Sequence, residues 1–156
     1  MIEYKLNIGD VVISSADASY RCFGLGSCVG LFIQDRLTGL SGGAHIFLPE
    51  EQPAPVGYSA LCSSTYAIEE ILKQMKMHGS SLLNLRAKVA GGANLFGVSY
   101  SIGERNSQSV IRELINNKIF VAGHDLGGTH CRTVKFESNS GLLFVSKPQI
   151  NQHEVY

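Results

Sequence analysis

The chain has 156 residues, of which 44% are hydrophobic and 17% are charged. A chain of this length buries enough apolar surface to fold as one domain, over residues 1–156, without metals or disulfides. Its thirteen basic and thirteen acidic side chains cancel, so no overall field favours nucleic acid or an anionic membrane as a partner.

The sequence predicts a cytoplasmic protein that does not insert into a membrane. Residues 1–10 (MIEYKLNIGD) lack the apolar core and cleavage site of a signal peptide, and no apolar run reaches the length of a membrane span. The four cysteines form no CxxC pair and are expected to be free thiols. Because neither a CxxC knuckle nor an HExxH helix occurs, we expect no metal and no cofactor.

The first half of the chain predicts mainly strands, at residues 11–14, 28–34 and 40–48. The run 28–34 (CVGLFIQ) is apolar nearly throughout, as in a strand covered on both faces. Turn residues at 35–39 (DRLTG) separate the last two strands. Since this turn makes the strands neighbours, Cys28 near the start of one is predicted to face His45 near the end of the other.

The second half predicts two helices among further strands. Apolar residues three or four apart predict a helix over residues 59–78, and Ser101 with Glu104 forms a capping box that begins a second helix. Two helices among many strands do not make a regular βαβ repeat. We therefore predict an α+β fold, with mixed, largely antiparallel sheets and two helices packed on them. The remaining strands are predicted at residues 85–90, 119–124, 133–137 and 142–147.

Cys28 is the strongest candidate for a catalytic residue. It stands in residues 24–30 (GLGSCVG), whose glycines leave few side chains to block a substrate. An ordinary thiol has a pKa of about 8.5, so a nucleophilic cysteine needs a base, and His45 suits that role. The alternative is a small buried thiol without chemistry. The same glycines do not form a dinucleotide-binding loop, because Val29 breaks the G-x-G-x-x-G spacing.

Two further glycine pairs, at 91–92 and 127–128, each follow a predicted strand. Each is typical of a tight turn, and together they leave room for a substrate if both loops lie at one end of a sheet. Candidates for polar contacts with that substrate are Asn94, Arg105 and Arg132. Solvated loop positions, or contacts that support the site from behind, are predicted for His124, Asp125, His130 and Cys131.

The sequence resembles a known family over most of its length. The matching motifs are residues 24–29 (GLGSCV), 43–49 (GAHIFLP), 88–96 (KVAGGANLF), 102–106 (IGERN) and 125–128 (DLGG) with 132–134 (RTV). They occur in the order found in the chemoreceptor glutamine deamidase family, CheD, from about residue 8 to residue 147. Each motif alone is modest, but five in order are specific.

The resemblance implies an enzyme of chemotaxis. CheD proteins hydrolyse selected glutamine side-chain amides on the cytoplasmic helices of chemoreceptors, giving glutamate and ammonia, and some also hydrolyse receptor methyl esters. The resemblance further implies a partner, the phosphatase CheC, which binds CheD and limits its access to receptors. It also implies an α/β sandwich related to the deamidase domain of cytotoxic necrotizing factor toxins.

The resemblance assigns roles by position. Cys28 is implied as the nucleophile that forms a thioester, and His45 as the general base and acid. Backbone N–H groups near Ser27 and Cys28, with Gly26 beside them, are expected as oxyanion donors or substrate contacts. The third catalytic position, six residues before the nucleophile, is commonly a threonine that orients the histidine, but here it is Cys22.

The cysteine at this third position leaves alternatives open. A thiol is a weaker hydrogen-bond partner than a hydroxyl, so a backbone carbonyl is a possible substitute. If activity has been lost with Cys22, the protein is a non-catalytic adaptor for CheC and receptors. A toxin-like deamidase acting on another protein is a third interpretation.

Overall fold

The computed structural model describes residues 1–99 and 101–156. Within these ranges the chain forms ten strands and two α-helices, α1 (Ser64–Met77) and α2 (Ile102–Asn116). The strands are β1 (Ile2–Lys5), β2 (Val11–Ser14), β3 (Ala18–Leu25), β4 (Val29–Asp35), β5 (Ser41–Ile46), β6 (Leu85–Gly91), β7 (Phe120–Leu126), β8 (Arg132–Glu137), β9 (Leu142–Lys147) and β10 (Gln152–Val155).

The strands form two mixed sheets of five. The first has the order β1-β3-β8-β9-β10 and the second the order β2-β5-β4-β6-β7. Only the β1–β3 and β6–β7 pairs among these strands are parallel, and the others are antiparallel. The predicted α+β fold, with two helices and mixed, largely antiparallel sheets, is therefore confirmed.

The second sheet lies between the helices and the first sheet. Alternate residues of β4 show this directly, because Leu31 belongs to the core shared with the helices whereas Phe32 belongs to the core between the sheets. Both side chains are fully buried. The apolar run at 28–34 thus has the two covered faces that the sequence predicted.

The hairpin that carries the two candidate catalytic residues is confirmed. Strands β4 and β5 pair antiparallel, with Gly30 opposite His45 and Val29 opposite Ile46. The turn between them is held by the carboxylate of Asp35, which accepts hydrogen bonds from backbone N–H groups two and three residues later.

The predicted helices are confirmed with one shift in boundary. Helix α1 begins at Ser64 rather than at residue 59, because Ala60–Cys62 form a separate 3₁₀ turn capped by Ser59. Helix α2 begins as predicted, with the side chain of Ser101 accepting a hydrogen bond from the N–H of Glu104 at 3.2 Å.

Strands β1, β3 and β10 were not predicted. Strand β3 (ASYRCFGL) contains a charged residue and a glycine, and its neighbours in the sheet come from both ends of the chain. Pairing with distant segments, rather than local alternation of polar and apolar residues, determines such a strand. Among the described residues, the structure contains no helix both long and apolar enough to span a bilayer.

Candidate functional site

Cys28 lies immediately before β4, in a segment whose backbone is firmly held. The carbonyl oxygen of Cys28 accepts a hydrogen bond from the N–H of Gly92 at 2.8 Å, and that of Gly26 accepts one from the N–H of Ala93 at 2.8 Å. The carbonyl between them, that of Ser27, accepts one from a side-chain amide of α2 at 2.9 Å. Three consecutive carbonyls are thus fixed, so the backbone that carries the Cys28 thiol is held in place.

The close approach of β6 to this segment depends on Gly91. Its φ is +120°, and a Cβ at this position would collide with the carbonyl oxygen of Cys28. The glycine pair at 91–92 therefore does more than turn the chain. It allows the end of β6 to donate to the backbone around Cys28.

His45 lies on β5, on the same face of the sheet as Cys28. Its neighbours Ala44 and Ile46 face the helices, so His45 faces the space between the sheets. Cys28 packs against the core between the sheets. The structure therefore turns both candidate residues, Cys28 at the start of β4 and His45 on β5, toward the space between the sheets, as the sequence predicted.

The imidazole of His45 is held by a backbone carbonyl. Its Nδ1 lies 3.0 Å from the carbonyl oxygen of Leu6, in the segment that follows β1. Because a carbonyl only accepts hydrogen bonds, Nδ1 carries the proton and the neutral ring has its lone pair on Nε2. The backbone of Leu6 is itself fixed, since its N–H donates to the carbonyl of Arg21 on β3 at 2.8 Å.

Burial keeps both groups uncharged. His45 is 7% exposed, and burial lowers its pKa despite the opposing effects of the Leu6 hydrogen bond and of Asp10. Burial, followed by the nearby Cys62, raises the pKa of Cys28 to about 11. At neutral pH the pair is therefore a neutral thiol and a neutral imidazole.

Cys22 lies on β3, fully buried in the core between the sheets. A Cβ on Gly30 would lie 3.3 Å from its Sγ, so the thiol rests against the strand position opposite His45. Burial and the neighbouring Cys28 raise the pKa of Cys22. Within residues 1–99 and 101–156, it makes no hydrogen bond to His45.

Two backbone N–H groups beside the thiol are available to a ligand. The N–H groups of Ser27 and Cys28 donate to no acceptor among the described residues. The segment is only partly exposed. Free, preorganised donors next to a nucleophile are suited to binding a developing oxyanion.

Exposed apolar side chains lie in a loop that packs against the segment before Cys28. Leu95, Phe96 and Val98 lie in the loop after β6 and are 47%, 89% and 55% exposed. The side chain of Leu95 lies against Gly26, because a Cβ there would be 3.0 Å from it. A group of exposed apolar residues in one loop is typical of a surface that binds another protein.

Two of the predicted polar residues have another role. Arg132 is 1% exposed, and its guanidinium forms an ion pair with the carboxylate of Asp125 and donates to the carbonyl of Gly127. It cannot contact a substrate, so that prediction was wrong. For Asp125 the sequence predicted either a solvated loop position or a contact that supports the site. The solvated position was wrong, because Asp125 is buried in β7. Asn94 binds its own loop, through the backbone of Val98.

Sequence reasoning missed two groups at the site, the carbonyl of Leu6 and the side chain of Asn106. A backbone carbonyl leaves no signal in a sequence, so Leu6 could not have been found. Asn106 had a signal, a polar residue on the apolar side of α2, where its amide donates to the carbonyls of Ser27 and Phe47.

Comparison with known proteins identifies the family. The family model described as CheD chemotactic sensory transduction matches residues 47–147. The chain is 33% identical to a probable chemoreceptor glutamine deamidase CheD of Clostridium botulinum, with 90% of each chain covered. It is 36% identical to one of Methylobacillus flagellatus, covering 93% of this chain and 70% of that protein.

The match also reaches the segments that lie before residue 47. A probable chemoreceptor glutamine deamidase CheD of Clostridium tetani is 28% identical, with 98% of this chain and 96% of that protein covered. Coverage of this extent includes the loop of Cys28 and the strand of His45. The chain belongs to the CheD family.

Proposed function

We propose that this protein hydrolyses glutamine side-chain amides on the cytoplasmic helices of chemoreceptors, in the cytoplasm, through a thioester on Cys28. Family membership supports the reaction class. The observation that carries the proposal is the placement of Cys28 and His45 on one face of adjacent strands, with the His45 imidazole held by Leu6 so that Nε2 is free of a proton.

The first half of the reaction forms the thioester. As Sγ of Cys28 attacks the carboxamide carbon of glutamine, its proton passes to Nε2 of His45. The carbonyl oxygen becomes an oxyanion that accepts hydrogen bonds from the N–H groups of Ser27 and Cys28. When the intermediate collapses, the C–N bond breaks and His45 returns the proton to the leaving nitrogen, releasing ammonia.

The second half of the reaction restores the enzyme. Water gives a proton to His45 as its oxygen attacks the thioester carbon, and the same backbone N–H groups bind the second oxyanion. The C–S bond then breaks, and the thiol recovers its proton from His45. The products are glutamate on the receptor and free enzyme.

We assign the orientation of His45 to Leu6 rather than to Cys22. The Leu6 carbonyl is 3.0 Å from Nδ1 and is a stronger hydrogen-bond acceptor than a thiol. Cys22 is then a packing residue that fills the space above Gly30. This assignment accounts for an active enzyme without threonine at the third position.

The surface around Cys28 supports a helical protein substrate. Leu95, Phe96 and Val98 are exposed apolar side chains of the loop after β6, and Leu95 lies against Gly26, two residues before the nucleophile; amphipathic helices offer apolar side chains to such surfaces. We propose that receptor helices bind here, and that CheC is the regulatory partner that the family resemblance implies.

The value of kcat/KM is expected to depend on pH through the number of protons that Cys28 and His45 hold together. Deamidation requires one proton on the Cys28–His45 pair, so the rate should be flat from about pH 7 to 9. It should fall only at a pH below the ordinary imidazole pKa of about 6.5, because burial lowers the pKa of His45 and the ring is protonated later than a free imidazole. Rates with a peptide from a receptor helix test this. A rate that rises tenfold per pH unit from 7 to 9 would contradict it, because it would indicate attack by a pre-existing thiolate alone.

The direct test uses the purified protein and a purified receptor cytoplasmic fragment. We expect ammonia release together with conversion of specific glutamines to glutamates, located by mass spectrometry of receptor peptides. The control is the same fragment incubated without enzyme, which corrects for spontaneous deamidation. Binding to the fragment without conversion would favour the non-catalytic adaptor over the enzyme.

A further inference from the structure

Asn106 is the fifth residue of α2, fully buried, and connects the two segments that carry the candidate catalytic residues. Its Nδ2 donates to the carbonyl oxygen of Ser27 at 2.9 Å and to that of Phe47 at 3.0 Å. Ser27 precedes Cys28 directly, and Phe47 follows His45 by two residues. One side-chain amide thus joins the loop of the thiol to the strand of the imidazole.

The chemistry of the contacts fixes the orientation of this amide. Both partners are carbonyl oxygens, which only accept hydrogen bonds, so a reversed amide would place Oδ1 against two acceptors. In the orientation observed, Oδ1 is buried without a hydrogen-bond partner among the described residues. Such a group is destabilising, and its presence is explained if the double donation by Nδ2 has a function.

Asn106 acts where the pairing of β4 and β5 ends. The last pair in register is Val29 with Ile46, and the next residue, Phe47, instead donates its N–H to the carbonyl of Cys62 at 2.7 Å. The strands therefore separate at the level of Cys28. The amide of Asn106 bridges this separation, because it holds a carbonyl on each side of it.

We propose that Asn106 is a positioning residue that sets the distance between the Cys28 thiol and the His45 imidazole. This inference rests on the proposed function, since it explains how the proposed catalytic pair is held. Without the bridge, the loop of Ser27 keeps its hydrogen bonds to β6 but loses its link to β5. The thiol and the imidazole then move relative to each other while both strands remain in the sheet.

Two variants of similar size test the role of the amide. Asn106→Leu removes both donors, and Asn106→Asp leaves at most one, because a carboxyl group buried against two carbonyl oxygens is kept neutral and has a single O–H. We expect kcat to fall about a hundredfold in each, as for a misplacement of about 1 Å between reacting groups, with KM within about twofold of wild type. The matched control is Ser109→Ala, which removes a buried polar group of α2 that contacts Ser64 and Glu50 instead.

A second measurement needs no substrate. Alkylation of Cys28 by iodoacetamide is followed by mass spectrometry of its peptide, which separates it from the other three cysteines. In the wild-type background, we expect His45→Ala to slow alkylation about tenfold, because the thiol loses its base. In the Asn106→Leu background, the same substitution is expected to change the rate less than about twofold, since the pair is already separated.

The outcomes separate this inference from the proposed function. Equal effects of His45→Ala in both backgrounds would overturn the positioning role, whether or not receptor deamidation is observed. An unchanged kcat in both Asn106 variants would also overturn it. Failure of both variants to fold, while Ser109→Ala folds, would assign Asn106 a purely structural role and overturn the proposal as well. The protein could fail to deamidate receptors while the effect of His45→Ala on alkylation is still lost in the Asn106→Leu background. That result would support the positioning role and count only against the deamidase.

Discussion

Replacing Cys28 with alanine is expected to lower receptor deamidation at least about a thousandfold, the scale seen when a covalent nucleophile is removed. The backbone N–H groups of Ser27 and Cys28 remain in this variant, so substrate binding should persist with a KM near that of wild type. Ammonia release and conversion of glutamine to glutamate, measured on the same receptor fragment, give the rate.

A matched cysteine distinguishes the nucleophile from a general thiol effect. Cys131 is partly exposed, like Cys28, but lies in the loop before β8. Cys131→Ser should therefore retain the wild-type rate within about twofold, as is usual for a substitution outside the catalytic machinery. Full activity in Cys28→Ala, or equal loss in both variants, would remove Cys28 from the mechanism.

The pairing of Cys28 with His45 could be predicted because the relevant signals are local. Both residues belong to one hairpin, and its turn is marked by Asp35 and Gly39 close by in the sequence. The alternation of side chains in strands then determines that Cys28 and His45 share a face. Local pattern was sufficient for this part of the candidate site.

The groups that hold the pair could not be predicted, because they come from distant parts of the chain. Leu6 reaches His45 across thirty-nine positions, and Asn106 reaches Ser27 across seventy-nine. These contacts depend on how the two sheets and α2 pack together, which periodicity does not encode. The burial of Arg132 was also missed. Its ion-pair partner Asp125 is buried by the packing of β7, and the residues around Asp125 in the sequence do not indicate this burial.

Asp125→Ala is expected to be strongly destabilising. The Asp125 carboxylate forms an ion pair with Arg132, accepts a hydrogen bond from the hydroxyl of Tyr156 at 2.6 Å and lies 3.0 Å from Nζ of Lys147. Its removal leaves a fully buried guanidinium without a counter-charge. A loss of about 3–5 kcal/mol in the free energy of unfolding is expected, measured by denaturant titration.

The control for Asp125→Ala is an exposed ion pair. Glu3 on the edge strand β1 and Arg21 on its neighbour β3 lie 3.4 Å apart, and their side chains are 66% and 38% exposed. Glu3→Ala should therefore cost no more than about 1 kcal/mol. Similar losses in the two variants would contradict the role assigned to burial.

The pH dependence of stability gives an independent measure of the same carboxylate. Burial alone raises the pKa of Asp125, but hydrogen bonds from Tyr156 and Lys147, with the charge of Arg132, lower it overall. The ionised carboxylate therefore stabilises the fold above its unfolded pKa of about 3.9. This contribution is lost as the pH falls through the lower folded value.

An isosteric variant removes the titration while keeping an acceptor. In Asp125→Asn, the free energy of unfolding should depend less on pH below about 4 than in wild type, because one carboxylate with a lowered pKa is gone. Asp35 maintains part of the slope. Burial raises its pKa, but hydrogen bonds from Ser80 and from backbone N–H groups lower it overall. An unchanged slope would show that Asp125 titrates alike in the folded and unfolded chains. The contact between Asp125 and Arg132 would then add to the free energy of unfolding through its packing rather than through its charges.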